Sequence, residues 1–93
     1  MLKIGVIGVG DMGSQHAKIL TDYIPQAKVV AIMDKSEERI KKISKFLDKP
    51  KIFKDAEELM NDDSVDAVLV ASPDQTHADF AEYCIKKGKY LLL

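Results

Sequence analysis

The sequence predicts an α/β domain built on a doubly wound, parallel, five-stranded sheet, and three observations predict it. Strand-like apolar runs alternate with helix-like amphipathic runs along all 93 residues. The first run, Lys3-Ile-Gly-Val-Ile-Gly-Val-Gly10, passes through Gly8-Val9-Gly10-Asp11-Met12-Gly13 straight into a helical pattern. The second apolar run ends in Asp34, 21 residues beyond Gly13. A glycine loop joining strand to helix, with an acid at that interval, is the spacing of a dinucleotide fold.

The elements follow in order. The first strand covers Leu2–Val9. The first helix opens near Asp11, and Met12, His16, Ile19, Leu20 and Tyr23 recur at spacings of three and four, which predicts its buried face. Pro25 ends it. A second strand covers Val29–Met33, and Ser36 is a good N-cap for a second helix with Ile40, Ile43 and Leu47 inward. Pro50 separates that helix from a short strand at Lys51–Phe53. Asp55-Ala-Glu-Glu58 reads as a capping box opening a helix through Met60. The turn Asn61–Ser64 leads into Val65–Ala71, a strand apolar on both faces and so expected in the sheet interior. Asp74 or Thr76 is expected to cap a last helix with Phe80, Ala81, Cys84 and Ile85 inward. Gly88 stops it as a left-handed residue, and Lys89–Leu93 is the fifth strand. Right-handed crossovers then give the strand order 3-2-1-4-5.

Each loop glycine has a mechanical task. Gly8 lets the chain leave the strand in a tight turn, and Gly10 leaves room for a pyrophosphate. Gly13 lets the helix pack close to the strand, so that its N-terminal N–H groups face the phosphates. Val9, Asp11 and Met12 complete the loop, Asp11 turned outward or capping local N–H groups. Asp34 suits the hydroxyls of the adenosine ribose and repels a 2′-phosphate, which favours NAD over NADP. Lys35 beside it partly offsets that repulsion. In the 3-2-1-4-5 order, the loops after the first and fourth strands flank the switch point, so Gly8–Gly13, Asp34 and Ser72–His77 converge on one edge.

Composition bounds the rest. Apolar residues make up 46% of the chain and charged ones 31%, with net charge −1 and the signs mixed, so there is no electrostatic case for nucleic acid or a membrane surface. Cys84 is the sole cysteine, which excludes an internal disulfide and a multi-cysteine metal site and suits a reducing cytoplasm. No apolar run approaches a spanning length. His16 is expected as a packed histidine and Cys84 as core filler. For His77, a bond to its own loop and a ligand contact stand as equal alternatives.

Three segments together resemble the glucose-fructose oxidoreductase and inositol 2-dehydrogenase family: Ile4–Ala17, Val30–Asp34, and Ala71-Ser-Pro-Asp-Gln-Thr-His77 followed by Gly88-Lys89. The resemblance covers nearly the whole chain. It implies a pyrophosphate at Gly8, Gly10 and Gly13 and the adenosine ribose at Asp34. It also implies a cleft lined by Ser72 and Pro73 with His77 beside them. Members of that family continue from the fifth strand into Glu-Lys-Pro, whose lysine transfers a proton, and then into a substrate domain. This sequence stops before that point, and Lys89 belongs to the preceding Gly-Lys pair.

The expectation is therefore a single NAD-binding domain of an oxidoreductase acting on sugars or polyols, without its catalytic half. Asp74, where Asn is frequent, leaves one contact of that pattern open. The alternatives are a non-catalytic NAD sensor, an S-adenosylmethionine site of methyltransferase type, and a fragment that binds nothing. The terminal run Leu91–Leu93 is apolar on both faces, which predicts a homo-oligomer through the last strand and last helix.

Overall fold

Short apolar runs rich in β-branched residues and bounded by turn residues become the strands. The structure is a computed structural model that describes residues 1–71 and 77–92, with 77–81 and 92 described by backbone alone. Strands β1 (Leu2–Ile7), β2 (Ala27–Met33), β3 (Lys51–Phe53), β4 (Ala67–Val70) and β5 (Tyr90–Leu92) are all parallel and lie in the order β3-β2-β1-β4-β5. Helices α1 (Asp11–Tyr23), α2 (Glu37–Ser44), α3 (Ala56–Met60) and α4 (His77–Lys87) alternate with them. Fold class and strand order are those the sequence predicts, with the first and fourth strands ending earlier. Leu93 and the capping positions Asp74 and Thr76 lie outside the described residues.

Two apolar layers sandwich the sheet. On one face Ala17 of α1 and Ile40 and Ile43 of α2 pack with Leu47 on Ile4, Val6, Val29, Ile32, Ala67 and Leu69. On the other, Leu59 and Met60 of α3 and Cys84 of α4 pack on Ile7, Ala31, Met33, Val68 and Val70. β4 is buried along its whole length, as an interior strand flanked on both faces must be. Each aliphatic side chain so buried contributes about 1.5–3 kcal/mol relative to exposure.

Local chemistry starts and stops the helices. Ser36 Oγ accepts from the N–H of Arg39 as predicted; at the predicted capping box, Asp55 is the N-cap but its Oδ1 accepts from the N–H of Glu57, at 3.0 Å, not from that of Glu58. Gly88 ends α4 with φ +70°, a conformation that β-carbons disfavour.

Two predicted faces are corrected. Met12, His16, Ile19 and Tyr23 are exposed, Tyr23 to 75%, while Gly13 and Ala17 are the buried residues of α1 and Leu20 is half-buried. Distance is the reason: the tight strand-to-helix turn brings α1 so near the sheet that only small side chains fit beneath it. His16 is accordingly a solvent-facing residue of α1, not a packed one. On α4, Cys84 is fully buried and Ile85, about 100° round the helix from it, is 78% exposed.

One irregularity was not predicted. Ile4 pairs with Val29 but Gly5 pairs with Ala31, so Val30 is an extra residue in β2. This bulge puts Val30 and Ala31 against the same apolar layer and reverses the alternation of the strand beyond it. Met33 then faces the α3/α4 layer, and Asp34 turns to the side of the glycine loop.

Candidate cofactor-binding site

The loop between β1 and α1 is held at both ends. Gly8 has φ +88° and donates its N–H to Met33 O at 2.8 Å, extending the sheet by one bond before the chain turns away. A β-carbon at Gly13 would stand 1.8 Å from Gly8 O, so the helix start lies directly against the strand end. Ser14 closes the first turn, its N–H donating to Gly10 O at 2.8 Å and its hydroxyl to Val9 O at 2.6 Å.

Gly10 differs from its neighbours. The nearest atoms a β-carbon there would meet are those of the Arg39 guanidinium, at ordinary contact distances of 3.5–3.9 Å. Nothing in the fold itself forbids a side chain at Gly10, whereas Gly8 and Gly13 are required by backbone geometry. Gly10 is also the N-cap of α1 and supplies no side-chain acceptor. The first-turn N–H groups thus face outward over a residue with no side chain. That arrangement suits an anion, both through the first-turn donors and through the helix dipole. A pyrophosphate fits it.

Asp34 ties this loop to the end of β2. Its Oδ2 accepts from Val9 N at 3.0 Å and its Oδ1 from Ser36 N at 2.9 Å, with the residue only 7% exposed. The carboxylate therefore sets the position of the glycine loop as well as marking the strand end. Each carboxylate oxygen can accept more than one bond, so ribose hydroxyls can add to these contacts.

Arg39 stands beside it and was not foreseen. Its Nη1 lies 3.8 Å from Asp34 Oδ2, and its side chain is 60% exposed. A signal was present: a cation in the first turn of a helix opposes the helix dipole and so asks for a local partner. Lys35, Asp11 and Met12 are exposed at the same edge. Ser72 and Pro73 lie outside the described residues, and His77 opens α4 with its side chain undescribed.

The remaining candidates belong to the packing. Lys89 Nζ donates to Asp62 O at 2.6 Å and Val65 O at 2.5 Å, at the amino end of β4 and β5 and so at the edge opposite the glycine loop. It is a clamp of the fold, not a group of the site. Burial pushes the Cys84 thiol up, away from the reactive thiolate, and its sulfur lies against Met60 Sδ at 3.8 Å. Tyr90, whose direction the sequence leaves open, is 71% exposed at the same far edge. Among the described residues no group of His, Cys, Asp and Glu is placed to hold a metal ion, and no helix is long and apolar enough to cross a membrane.

Residues 2–93 match the oxidoreductase family with an NAD-binding Rossmann fold. The chain belongs to that family. NAD, the cofactor to which Asp34 points, is the cofactor of the family's fold. Within it, the chain is 40% identical over 91 residues to inositol 2-dehydrogenase 2 of Saccharopolyspora erythraea, covering 98% of this chain and 27% of that protein. Its fold matches myo-inositol dehydrogenase from Lactobacillus casei in complex with NAD(H) and myo-inositol, with TM-score 0.88, 32% identity, and coverage of 98% of this chain and 27% of that one. It also matches a 3-ketoreductase from Actinomadura kijaniata in complex with TDP-benzene and NADP, with TM-score 0.80 and 27% identity over 97% of this chain and 28% of that one. The chain thus spans little more than a quarter of the length of the family members it matches.

Proposed function

We propose that this chain is the NAD-binding part of an oxidoreductase that moves a hydride between nicotinamide and a CH–OH group of a sugar or polyol, with inositols as the first candidates. One observation carries the site: an uncapped helix start over Gly10, in a loop that Asp34 holds against the carboxyl end of the sheet. Gly8, Val9, Gly10, Asp11, Met12 and Gly13 receive the pyrophosphate. Asp34 receives the adenosine ribose with Lys35 at its flank, and the family resemblance assigns Ser72, Pro73 and His77 to the lining of the same cleft. The bound dinucleotide supplies the hydride chemistry, and these residues bind and orient it.

By itself the chain binds the cofactor without turning over a sugar or polyol. Among the described residues, the buried carboxylate at this edge, Asp34, already accepts two backbone N–H bonds. Its home is the cytoplasm, where the buried free thiol of Cys84 stays reduced. Self-association runs through α4 and β5, where Ile85 and Tyr90 are exposed beside an edge strand.

Titration calorimetry with NAD and S-adenosylmethionine tests the central assignment. NAD is expected to bind, S-adenosylmethionine is not, and inositol with NAD is expected to give no sustained growth of the NADH band. Binding of S-adenosylmethionine alone contradicts the assignment, since that ligand has no pyrophosphate for the Gly10 cradle.

A further inference from the structure

We propose that the chain carries a second self-contact, independent of the cofactor, in which the basic face around α2 of one copy meets the acidic face around α3 of another.

A net charge of −1 conceals a local segregation of charge. Residues 41–54 contain six lysines and one acid, Asp48, while residues 55–66 contain six acids and no base. The fold puts the two runs on opposite faces of the sheet. α2 packs on the layer of Ile4, Val29 and Ile32, and α3 on that of Ile7, Met33 and Val68, with the edge strand β3 between them in sequence. Only part of this charge is neutralised within the chain. Lys28 takes Asp48 at 3.4 Å, Lys51 takes Asp62 at 3.0 Å and Lys54 takes Glu37 at 3.1 Å. Lys41, Lys42, Lys45 and Lys49 on one face, and Glu57, Glu58 and Asp63 on the other, are exposed and make no ion pair among the described residues.

Two further features of the basic face suit a contact. Lys49 has φ +44°, so a lysine is held where glycine would be less strained. Phe46 and Ile52 are both more than half exposed among the lysines, and Lys18 Nζ stands 4.2 Å from the centre of the Phe46 ring. They offer apolar area to bury beneath the charges.

The charges also select the occupant. A nucleic acid gains from the lysines but is repelled by the acidic run that borders them, whereas a second copy gains from both. Turning one copy over about an axis parallel to β3, just beyond that edge, sets each α2 beside the other copy's α3. One two-fold contact then satisfies both patches and closes as a dimer. β3 itself is blunted against strand pairing, since it has three residues, follows Pro50 and carries Lys51.

Sedimentation velocity at about 20 mM and about 300 mM salt tests this, because exposed charges are screened at the higher concentration. Every chain in the test carries Ile85→Lys and Tyr90→Lys, which removes the apolar α4–β5 surface; that surface is read separately, at the higher salt. A dimer is expected at low salt and should weaken by at least about 10-fold at high salt. Lys45→Glu/Lys49→Glu and Glu58→Lys/Asp63→Lys should each weaken it by at least about 10-fold as well. An equal mixture of the two should restore the dimer, because each reversed patch then meets its opposite. A monomer at low salt overturns the proposal. So does a dimer that either reversal leaves intact, or a loss that the mixture does not recover. Binding of a deoxythymidine oligonucleotide by a chain that stays monomeric overturns it in favour of nucleic acid. Should a reversal lower the thermal midpoint, Lys45→Gln/Lys49→Gln or Glu58→Gln/Asp63→Asn takes its place, and a dimer indifferent to that neutralisation is equally contrary.

Discussion

Gly10 and Gly13 stand three residues apart in one loop and answer to different demands. At Gly13 a β-carbon would collide with Gly8 O at 1.8 Å and Gly8 C at 2.8 Å, so the backbone itself has to move. Gly13→Ala is expected to lose about 3 kcal/mol of stability or more, read from urea unfolding. At Gly10 the added methyl meets a movable guanidinium, and the cost is about 1 kcal/mol for an alanine at the N-cap. Gly10→Ala should instead weaken NAD at nearly native stability. The reverse pattern would show that the Gly10 cradle is structural. Asp34→Ala strands the buried N–H of Val9 and also removes the ribose acceptor. It is expected to cost about 1–3 kcal/mol of stability and about 1.5–3 kcal/mol of NAD affinity, from unfolding and calorimetry respectively. At this scale the places of the glycines and Asp34 in the turn were legible in the sequence, because their spacing follows the strand-to-helix geometry. Arg39 left only the signal of a first-turn cation, because its partner lies five residues back across a turn and its neighbour Gly10 lies in another element.

Among the elements, α2 and α1 show why an apolar period is sometimes enough and sometimes not. In α2 and just beyond it, Ile40, Ile43 and Leu47 are buried as the spacing predicts. In α1 the most hydrophobic stripe faces out, because Gly13 and Ala17 set a closer approach than large side chains allow. The bulge at Val30 was likewise invisible, since it is a property of the pairing of β2 with β1. The α3–β4 turn carries a pH-dependent element at the far edge. Asp62 accepts from Ser64 N at 2.8 Å and Ser64 Oγ at 2.6 Å, and from Lys51 Nζ at 3.0 Å. These bonds, those from Ser64 foremost, hold its carboxyl at about 2, below the ordinary 3.8. A pKa lowered by folding means that the ionised form stabilises the native state. That contribution is complete above the unfolded value near 4 and is lost as pH falls towards 2. Urea midpoints between pH 5 and 2 should fall more steeply for the native chain than for Asp62→Asn. Parallel curves would show that the turn carries no linked proton.

For the molecule as a whole, one edge of the sheet carries the proposed cofactor site and the other carries the clamps. Lys89 fastens β5 to the turn at Asp62–Val65, so Lys89→Met should lower stability while leaving NAD affinity unchanged. Exposed Ile85 and Tyr90 mark the proposed self-association surface, and light scattering of the native chain against Ile85→Lys/Tyr90→Lys tests it. An oligomer that the double substitution dissolves is expected; a native monomer contradicts it. The most direct measurement of the central claim is an amide ¹H–¹⁵N titration with NAD. Saturable shifts are expected at Gly8–Ser14 and Asp34–Arg39, with the amides of Asp62–Val65 and Lys89 undisturbed at the opposite edge. No saturable shift in the glycine loop, or shifts confined to the Lys89 edge, would contradict the assignment of this loop as the site that holds the dinucleotide.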